Sequence, residues 1–374
     1  MSKQRTIIVA IAVLLIATVG VLLWKSNRVE KTESIKVGAL LGLSGPGANY
    51  GQNVRNAINL ALEDIAAEDV NGKKIEVIFE DSKLDPKVGV TAFQKLVTQD
   101  KVPVSLTMVS GVVLAIAPIA EKEKSISLNI GAQNPDIRKA GEFTFSTIND
   151  ANVEAYQLAD YVIDTLHINE MVILYASASY GVGARNAMKA RFTERGGKVL
   201  EEISFDEGAT DFKTQLQKIK NSNAKAVYMP GVIKEMSLIL RQATELNVKT
   251  QWLSYTAFEG NEIIQSAGAS AEGVIFSSSS IDNTKEFIKK FTDSYQKKYG
   301  SSPEIYAANS YDAIRILNLA VKNGKATDAQ SIANYLLSMP PYEGVSGTIK
   351  FDKDGMVTKP VIIKTVKNGQ FIKL

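Results

Sequence analysis

The chain has 374 residues, 45% hydrophobic and 22% charged, with a formal net charge of +3; this describes an ordinary folded protein long enough for two domains. It contains no cysteine and one histidine, His167, which excludes disulfides, Cys-ligated metals, a thiol nucleophile, a lipid-acylated N-terminal cysteine and any triad or zinc site needing a second histidine. No basic stripe with interleaved aromatics points to nucleic acid.

The first element is an export signal. Lys3 and Arg5 precede an uncharged run, Ile7–Trp24, which ends at Lys25 and Arg28. The basic start, residues 1–6, is expected to stay cytoplasmic. Eighteen residues rising ~1.5 Å each give roughly 27 Å, close to the hydrocarbon thickness of a bilayer. No convincing small-x-small cleavage site follows, so 7–24 is read as an uncleaved signal anchor in preference to a signal peptide, with 25–34 as the tether. The rest of the protein then lies outside the membrane.

Beyond the tether, strand and helix alternate. Strands are expected at 35–41, 75–80, 103–108, 126–130, 171–176, 198–205, 225–229 and 250–253. Helices are expected at 50–68, 86–99, 112–124, 151–166, 181–195, 211–221, 234–246, 284–299, 306–323 and 328–338. Such alternation implies βαβ units and more than one parallel sheet, an α/β architecture. After residue 346, Gly347–Phe351, the Lys353-Asp354-Gly355 turn, 361–366 and 370–373 read instead as short antiparallel strands.

The most informative motif is SGPGANYG, Ser44–Gly51. It links the apolar, branched strand 35–41 to a helix whose Val54, Ala57, Ile58, Ala61, Leu62 and Ile65 share one face. A Ser/Gly loop before a helix start presents hydroxyls and N–H groups to a small anion; an ordinary βα connection is the other reading. Strand, SGP, Tyr-Gly and an Arg-Asn helix together resemble the opening of the periplasmic leucine/isoleucine/valine-binding protein family, the type I solute-binding proteins of ABC importers. The resemblance continues in order through EDSKLDPKVGV (Glu80–Val90), SGVVLAIAPIAEKE (Ser110–Glu123), GAQNPDI (Gly131–Ile137), SYGVGARN (Ser179–Asn186), EMSLILRQATELNVKTQWL (Glu235–Leu253) and YAANSYDAIRIL (Tyr306–Leu317), covering roughly 35–370.

That resemblance implies a two-lobed type I periplasmic-binding-protein fold, with parallel sheets flanked by helices and three interlobe crossings. Lobe 1 would take 35–148 plus 280–343, and lobe 2 would take 149–279 plus 344–374. It implies no enzymatic activity and no cofactor. Its partners would be a small-molecule ligand, ABC permease and ATPase subunits, and the membrane through the N-terminal helix. Ser110 matches the residue that holds the ligand carboxylate, although a plain N-cap is its alternative role. Gly131 matches a position whose carbonyl faces the ligand ammonium. Gln133 stands where amino-acid binders usually have threonine. Tyr50 and Tyr180 match aromatic walls from opposite lobes. Thr256 occupies the position of a carboxylate that pairs the ammonium, and Glu259, three residues on, is the possible substitute. An aliphatic amino acid, a keto acid and a small aromatic acid all remain open as ligands.

Enzyme readings are poorer. Gly42-Leu43-Ser44-Gly45-Pro46 resembles a nucleophile elbow, but Pro46 stands where the second glycine belongs. The paired acids Glu80-Asp81 and Asp352/Asp354 have the chemistry to hold a cation, but a strand end and a solvated turn are the preferred readings. The competing class is a ligand-sensing receptor ectodomain of the same fold. With Leu374 ending the sequence, no signalling domain is expected.

Overall fold

A computed structural model describes residues 34–45, 47–66, 74–279, 281 and 284–374. The expected anchor and most of the tether lie outside the described residues. Among the described residues, no helix is long and apolar enough to cross a membrane.

The opening strand, β1 (Ser34–Leu41), alternates exposed and buried residues before running into a fully buried end. It lies second from the edge of a five-stranded sheet with β2 (Lys74–Asp81), β3 (Val104–Thr107), β4 (Ile126–Asn129) and β5 (Thr144–Ser146), in the order β2-β1-β3-β4-β5. All four pairings are parallel, so each connection must cross over. The crossovers are α1 (Ala48–Ile65), α2 (Pro86–Thr98) and α3 (Ser110–Glu123). On α1, Val54, Ala57, Ile58, Ala61 and Ile65 are buried at helical spacing. On α2, Asp85 caps the amides of Lys87 and Val88, with Pro86 opening the first turn.

The second sheet begins after α4 (Ala151–Asp164). It contains β6 (Glu170–Ala176), β7 (Lys198–Phe205), β8 (Ala226–Tyr228), β9 (Gln251–Ser254) and β10 (Ile275–Ser279), with α5 (Ser179–Glu194), α6 (Lys213–Ser222), α7 (Ile233–Glu245) and α8 (Asn261–Ala267) between them. After α9 (Glu286–Tyr299), α10 (Ile305–Gly324) and α11 (Ala329–Ser338), the short hairpin β11 (Tyr342–Gly344) and β12 (Gly347–Ile349) forms a two-stranded sheet of its own. Then β13 (Val361–Lys367) and β14 (Gln370–Lys373) join the second sheet antiparallel. Its order is β14-β13-β10-β9-β8-β6-β7. The α/β class and parallel-dominated sheets are as the alternation implied. Strands β5, β10 and β11 and helix α8 were not expected.

Each sheet has its own core. Residues from β1, α2 and α3 pack with Ile305, Ile314, Leu317, Ile332 and Leu336 of the late helices. A separate cluster runs from Ala151 to Phe276 and takes in Val366. The chain therefore passes between cores three times. Ile349, Phe351 and Val357 belong to the first core, so the last passage comes after Val357. The three passages are tied together. Asn149 Nδ2 donates to the Lys359 carbonyl (3.0 Å) and Ser279 Oγ (3.4 Å), and the Lys359 N–H donates to Asn149 Oδ1 (2.7 Å). The Lys359 side chain is buried and turns toward the first core. Its Nζ donates to Asn309 Oδ1 (2.8 Å) and Ser346 Oγ (2.6 Å). Ser346 Oγ in turn donates to the buried Asp312.

Candidate functional site

The carboxyl ends of parallel strands leave their loops facing out of the sheet, where ligand sites form. Here the loops of both sheets meet around a cavity of ≈ 60 Å³. Tyr50, Leu84, Met108, Val109, Ser110, Gly131, Gln133 and Tyr306 line it from the first body. Tyr180, Ala184, Glu207, Val232, Tyr255 and Ala257 line it from the second. A larger depression of ≈ 660 Å³ near Glu80, Lys95 and Thr98 lies on the outer face of the first body, and its Lys95 and Glu80 pair with each other.

Two glycines place the aromatic walls. A Cβ on Gly51 would lie 2.0 Å from the Gly42 carbonyl oxygen, and one on Gly181 would lie 2.2 Å from that of Ala176. Each Tyr-Gly pair therefore lets a helix start press against the end of the preceding strand, and this carries Tyr50 and Tyr180 to the cavity. Tyr50 also stacks edge-on against Tyr306, with ring centroids 5.6 Å apart. Its hydroxyl donates to the Ala257 carbonyl (3.3 Å) and accepts from the Ile233 N–H (3.2 Å), joining the two bodies. Burial pushes the Tyr50 phenol well above its ordinary pKa. The Tyr180 hydroxyl is buried without a hydrogen-bond partner among the described residues, and burial pushes its pKa up as well.

Ser110 is the first residue of α3 and fully buried. Its hydroxyl accepts from the Asn134 N–H (3.1 Å), which leaves its own proton to donate. The first α3 amide to bond back is that of Val112, to the Val109 carbonyl, so the Ser110 and Gly111 amides precede the intrahelical ladder. Val109 sits before the helix at φ 70°, an unusual conformation for a β-branched residue. The loop after β4 is held by buried Asn129, whose Oδ1 accepts from the Gly131 and Ala132 amides and whose Nδ2 donates to the Ala132 carbonyl. This presents Gly131 against Tyr306, which a Cβ would approach to 3.3 Å. Asn134 reaches across to the Ser179 carbonyl and hydroxyl (2.9 and 3.0 Å).

Five of the seven residues expected at the site line the cavity: Tyr50, Ser110, Gly131, Gln133 and Tyr180. Thr256 and Glu259 do not. Thr256 and its neighbours form a 3₁₀ turn after β9 that presents Tyr255 and Ala257 instead. The Thr256 hydroxyl pairs with Ser278 Oγ, and its N–H donates to Glu154. Glu259 is taken up by Ser278 Oγ and Lys364. The Ser44 hydroxyl is also committed. It donates to Asp81 (2.6 Å) beside the Leu43 and Lys83 amides, so the Ser/Gly loop is a capped connection and offers no hydroxyl to an anion. Burial raises the Asp81 pKa, but these donors outweigh it and hold the carboxyl below its ordinary value.

Residues not foreseen include Glu207, Tyr255 and Tyr306. Among the described residues Glu207 is the one carboxylate lining the cavity, and partial burial followed by nearby Asp85 pushes its pKa up. The Tyr255 hydroxyl donates to the Gly231 carbonyl (3.1 Å). Tyr306 opens the YAAN helix, whose motif was the only signal for it.

A family model described as periplasmic binding protein matches residues 34–370. A Leu/Ile/Val-binding protein homolog 1 from Brucella suis biovar 1 is 27% identical over 327 residues, covering 86% of this chain and 87% of that protein. The crystal structure of a leucine-binding protein from Thermotoga maritima superposes with a TM-score of 0.86 at 27% identity, covering 91% of this chain and 97% of that one. A branched-chain amino acid transporter substrate-binding protein from Streptococcus pneumoniae, in complex with isoleucine, gives a TM-score of 0.82 at 26% identity, with 91% and 100% covered.

Proposed function

Since this chain belongs to the periplasmic binding protein family, whose members here are extracytoplasmic solute binders and not enzymes, we propose that it captures a small carboxylate-bearing solute for an ABC importer. The observation that carries this is the pair of buried polar atoms on residues lining the cavity, Gln133 Oε1 and the Tyr180 hydroxyl, that have no partner among the described residues. A buried polar atom without a partner costs about 1–3 kcal/mol, and a polar solute between the two bodies removes that cost. Ser110 and the α3 start supply donors and a favourable dipole for the carboxylate. The apolar walls, Leu84, Met108, Tyr50 and Tyr306, suit a branched aliphatic or small aromatic remainder.

The cavity lies between the two bodies, and the Tyr50 hydroxyl of the first bonds Ala257 and Ile233 of the second beside it, so entry requires the bodies to part and reclose. Closure is then driven by contacts that both bodies complete together. Lobe 1 would comprise 35–148 and about 280–357, and lobe 2 the remainder. The packing of Ile349, Phe351 and Val357 supports moving the last crossing later than 343/344. A thermal-shift screen of amino acids and small carboxylates tests the reading, because a tight ligand stabilises by RT ln(1 + [L]/Kd). At least one such acid should raise the melting temperature in a saturable manner; if none does, carboxylate capture is wrong.

The run Ile7–Trp24 would keep this receptor beside its permease as an uncleaved anchor. N-terminal sequencing of protein from its native membrane should find residue 1, whereas a start after Gly20 means a cleaved signal peptide.

A further inference from the structure

Close to the Tyr50 bridge, two carboxyl groups meet from opposite bodies. Glu304 stands immediately before α10, whose Ile305 and Tyr306 belong to the first core. Glu262 is on α8, whose Ile263 packs in the second. Gly260 leaves them room, since a Cβ there would lie 3.1 Å from Glu304 Oε1 and 3.2 Å from Glu262 Oε2. Glu304 is 9% exposed, and its Oε1 accepts from Asn53 Nδ2 of α1 (3.2 Å). Glu304 Oε2 and Glu262 Oε2 are buried and meet no donor among the described residues. The two side chains are within hydrogen-bonding reach of each other, yet two carboxylates have no proton to share. One proton between them supplies the missing donor. Burial, then the charge and the hydrogen bond of Glu262, push Glu304 well above the ordinary carboxylate range, against the pull of Asn53. The other titratable groups facing it are Glu259, already held by Ser278 and Lys364, and the phenols of Tyr50, Tyr295 and Tyr306.

Resting on the closure of the two bodies argued above, and not on the identity of the solute, we propose that Glu262 and Glu304 form a proton-operated latch. A proton taken from solvent joins the bodies when they shut, so capture is favoured in acidic surroundings and relaxes as the pH rises. With the bodies apart, both carboxyls face water and titrate near ~4.3. Shutting takes Glu304 out of water and sets it against Glu262, so between that value and its raised one closure takes up about one proton. Each pH unit gained in that window disfavours the shut form by up to about tenfold. Once the proton is lost, two buried anions face each other across the interface and push it apart.

The sequence holds no cysteine, so a dye pair can be placed on the detergent-purified full chain through Lys87→Cys and Lys213→Cys. Both lysines are exposed, one in the first turn of α2 and the other opening α6. Energy transfer in the absence of solute should show the shut-to-open ratio falling by about tenfold or more between about pH 5 and about pH 9. Glu304→Gln keeps an oxygen for Asn53 and offers Glu262 a permanent N–H donor. It should flatten the profile and leave the variant more shut than the wild type at about pH 9. Glu262→Gln should do the same from the other body, and it serves alone if the first variant does not fold. A merely structural role would open the bodies at every pH, and that result overturns the latch. A slope that persists unchanged in both variants also overturns it. Such a slope belongs to another group, such as Glu154, which touches Gln133 of the first body and which burial pushes up to about 8. Calcium chloride that shuts the wild type at about pH 9, with EDTA reversing it, means that a cation and not a proton is the occupant, which overturns it too. A profile flat with pH overturns the latch. If solutes from the thermal-shift screen still shut such a protein, capture by closure stands; if they do not, both readings fall.

Discussion

Lys359→Met is expected to lower the free energy of unfolding by about 1–3 kcal/mol, the cost of leaving the buried polar partners of its ammonium unsatisfied. The wild-type ammonium is wholly buried, bonded to Asn309 and Ser346, and Ser346 passes the contact on to buried Asp312. Methionine fills similar space but leaves Asp312 with only the Val345 and Ser346 amides and the Ser346 hydroxyl. Burial pushes Lys359 down to about 7 while Asp312 pulls it back up; an unfolded lysine titrates near ~10.4. Between those values the unfolded chain holds a proton that the folded chain has released, so this residue makes wild-type stability rise with pH across that window. Asp312 is raised by its burial, so its part falls as pH rises above the ordinary carboxylate range. Urea unfolding at about pH 6 and about pH 9 should show the alkaline rise in the wild type and not in the variant. A loss below about 1 kcal/mol would mean that the two amides and the hydroxyl satisfy Asp312 on their own.

Ser110→Ala is expected to weaken solute binding by about 1.5–3 kcal/mol, roughly 10- to 150-fold, if its hydroxyl donates to a carboxylate as proposed. The methyl group also deprives the Asn134 N–H of its acceptor, so part of the loss is a loosened loop. Calorimetry with the solute found by the thermal-shift screen reads the effect directly. A folded variant with unchanged affinity removes Ser110 from the site.

The repeated strand-helix alternation was legible because branched apolar runs and amphipathic spacing are local properties. Strand β10 was not legible, since three of its five residues are serine. It is a strand because β9 and β13 flank it, which is tertiary information. Strand β5, at three residues, is too short to show a period. At the site, order and spacing singled out Tyr50, Ser110, Gly131, Gln133 and Tyr180, which the structure brings together around one cavity. Thr256 and Glu259 do not line it, because the 3₁₀ turn after β9 presents Tyr255 and Ala257 there. Glu154 reads along the chain as an ordinary first-turn helix acid. Its partners, Gln133 and Thr256, lie 21 and 102 positions away, and no local pattern links them. Lys359 and Asp312 escaped notice for the same reason.

The Tyr50 hydroxyl bridges the Ile233 amide and the Ala257 carbonyl using protein atoms alone, and this separates how tightly the protein binds from what it binds. Those two bonds favour the shut arrangement whatever lies between the bodies. The apparent dissociation constant of any solute is its intrinsic value divided by the fraction of molecules already competent to hold it. Strengthening or weakening the Tyr50 bridge thus scales the affinity for every solute by one common factor. Substitutions at Gln133 and Ser110, if these hold the solute as proposed, would alter the ranking among solutes instead. Related receptors could be retuned to richer or poorer surroundings at this one hydroxyl, with their choice of cargo left as it was.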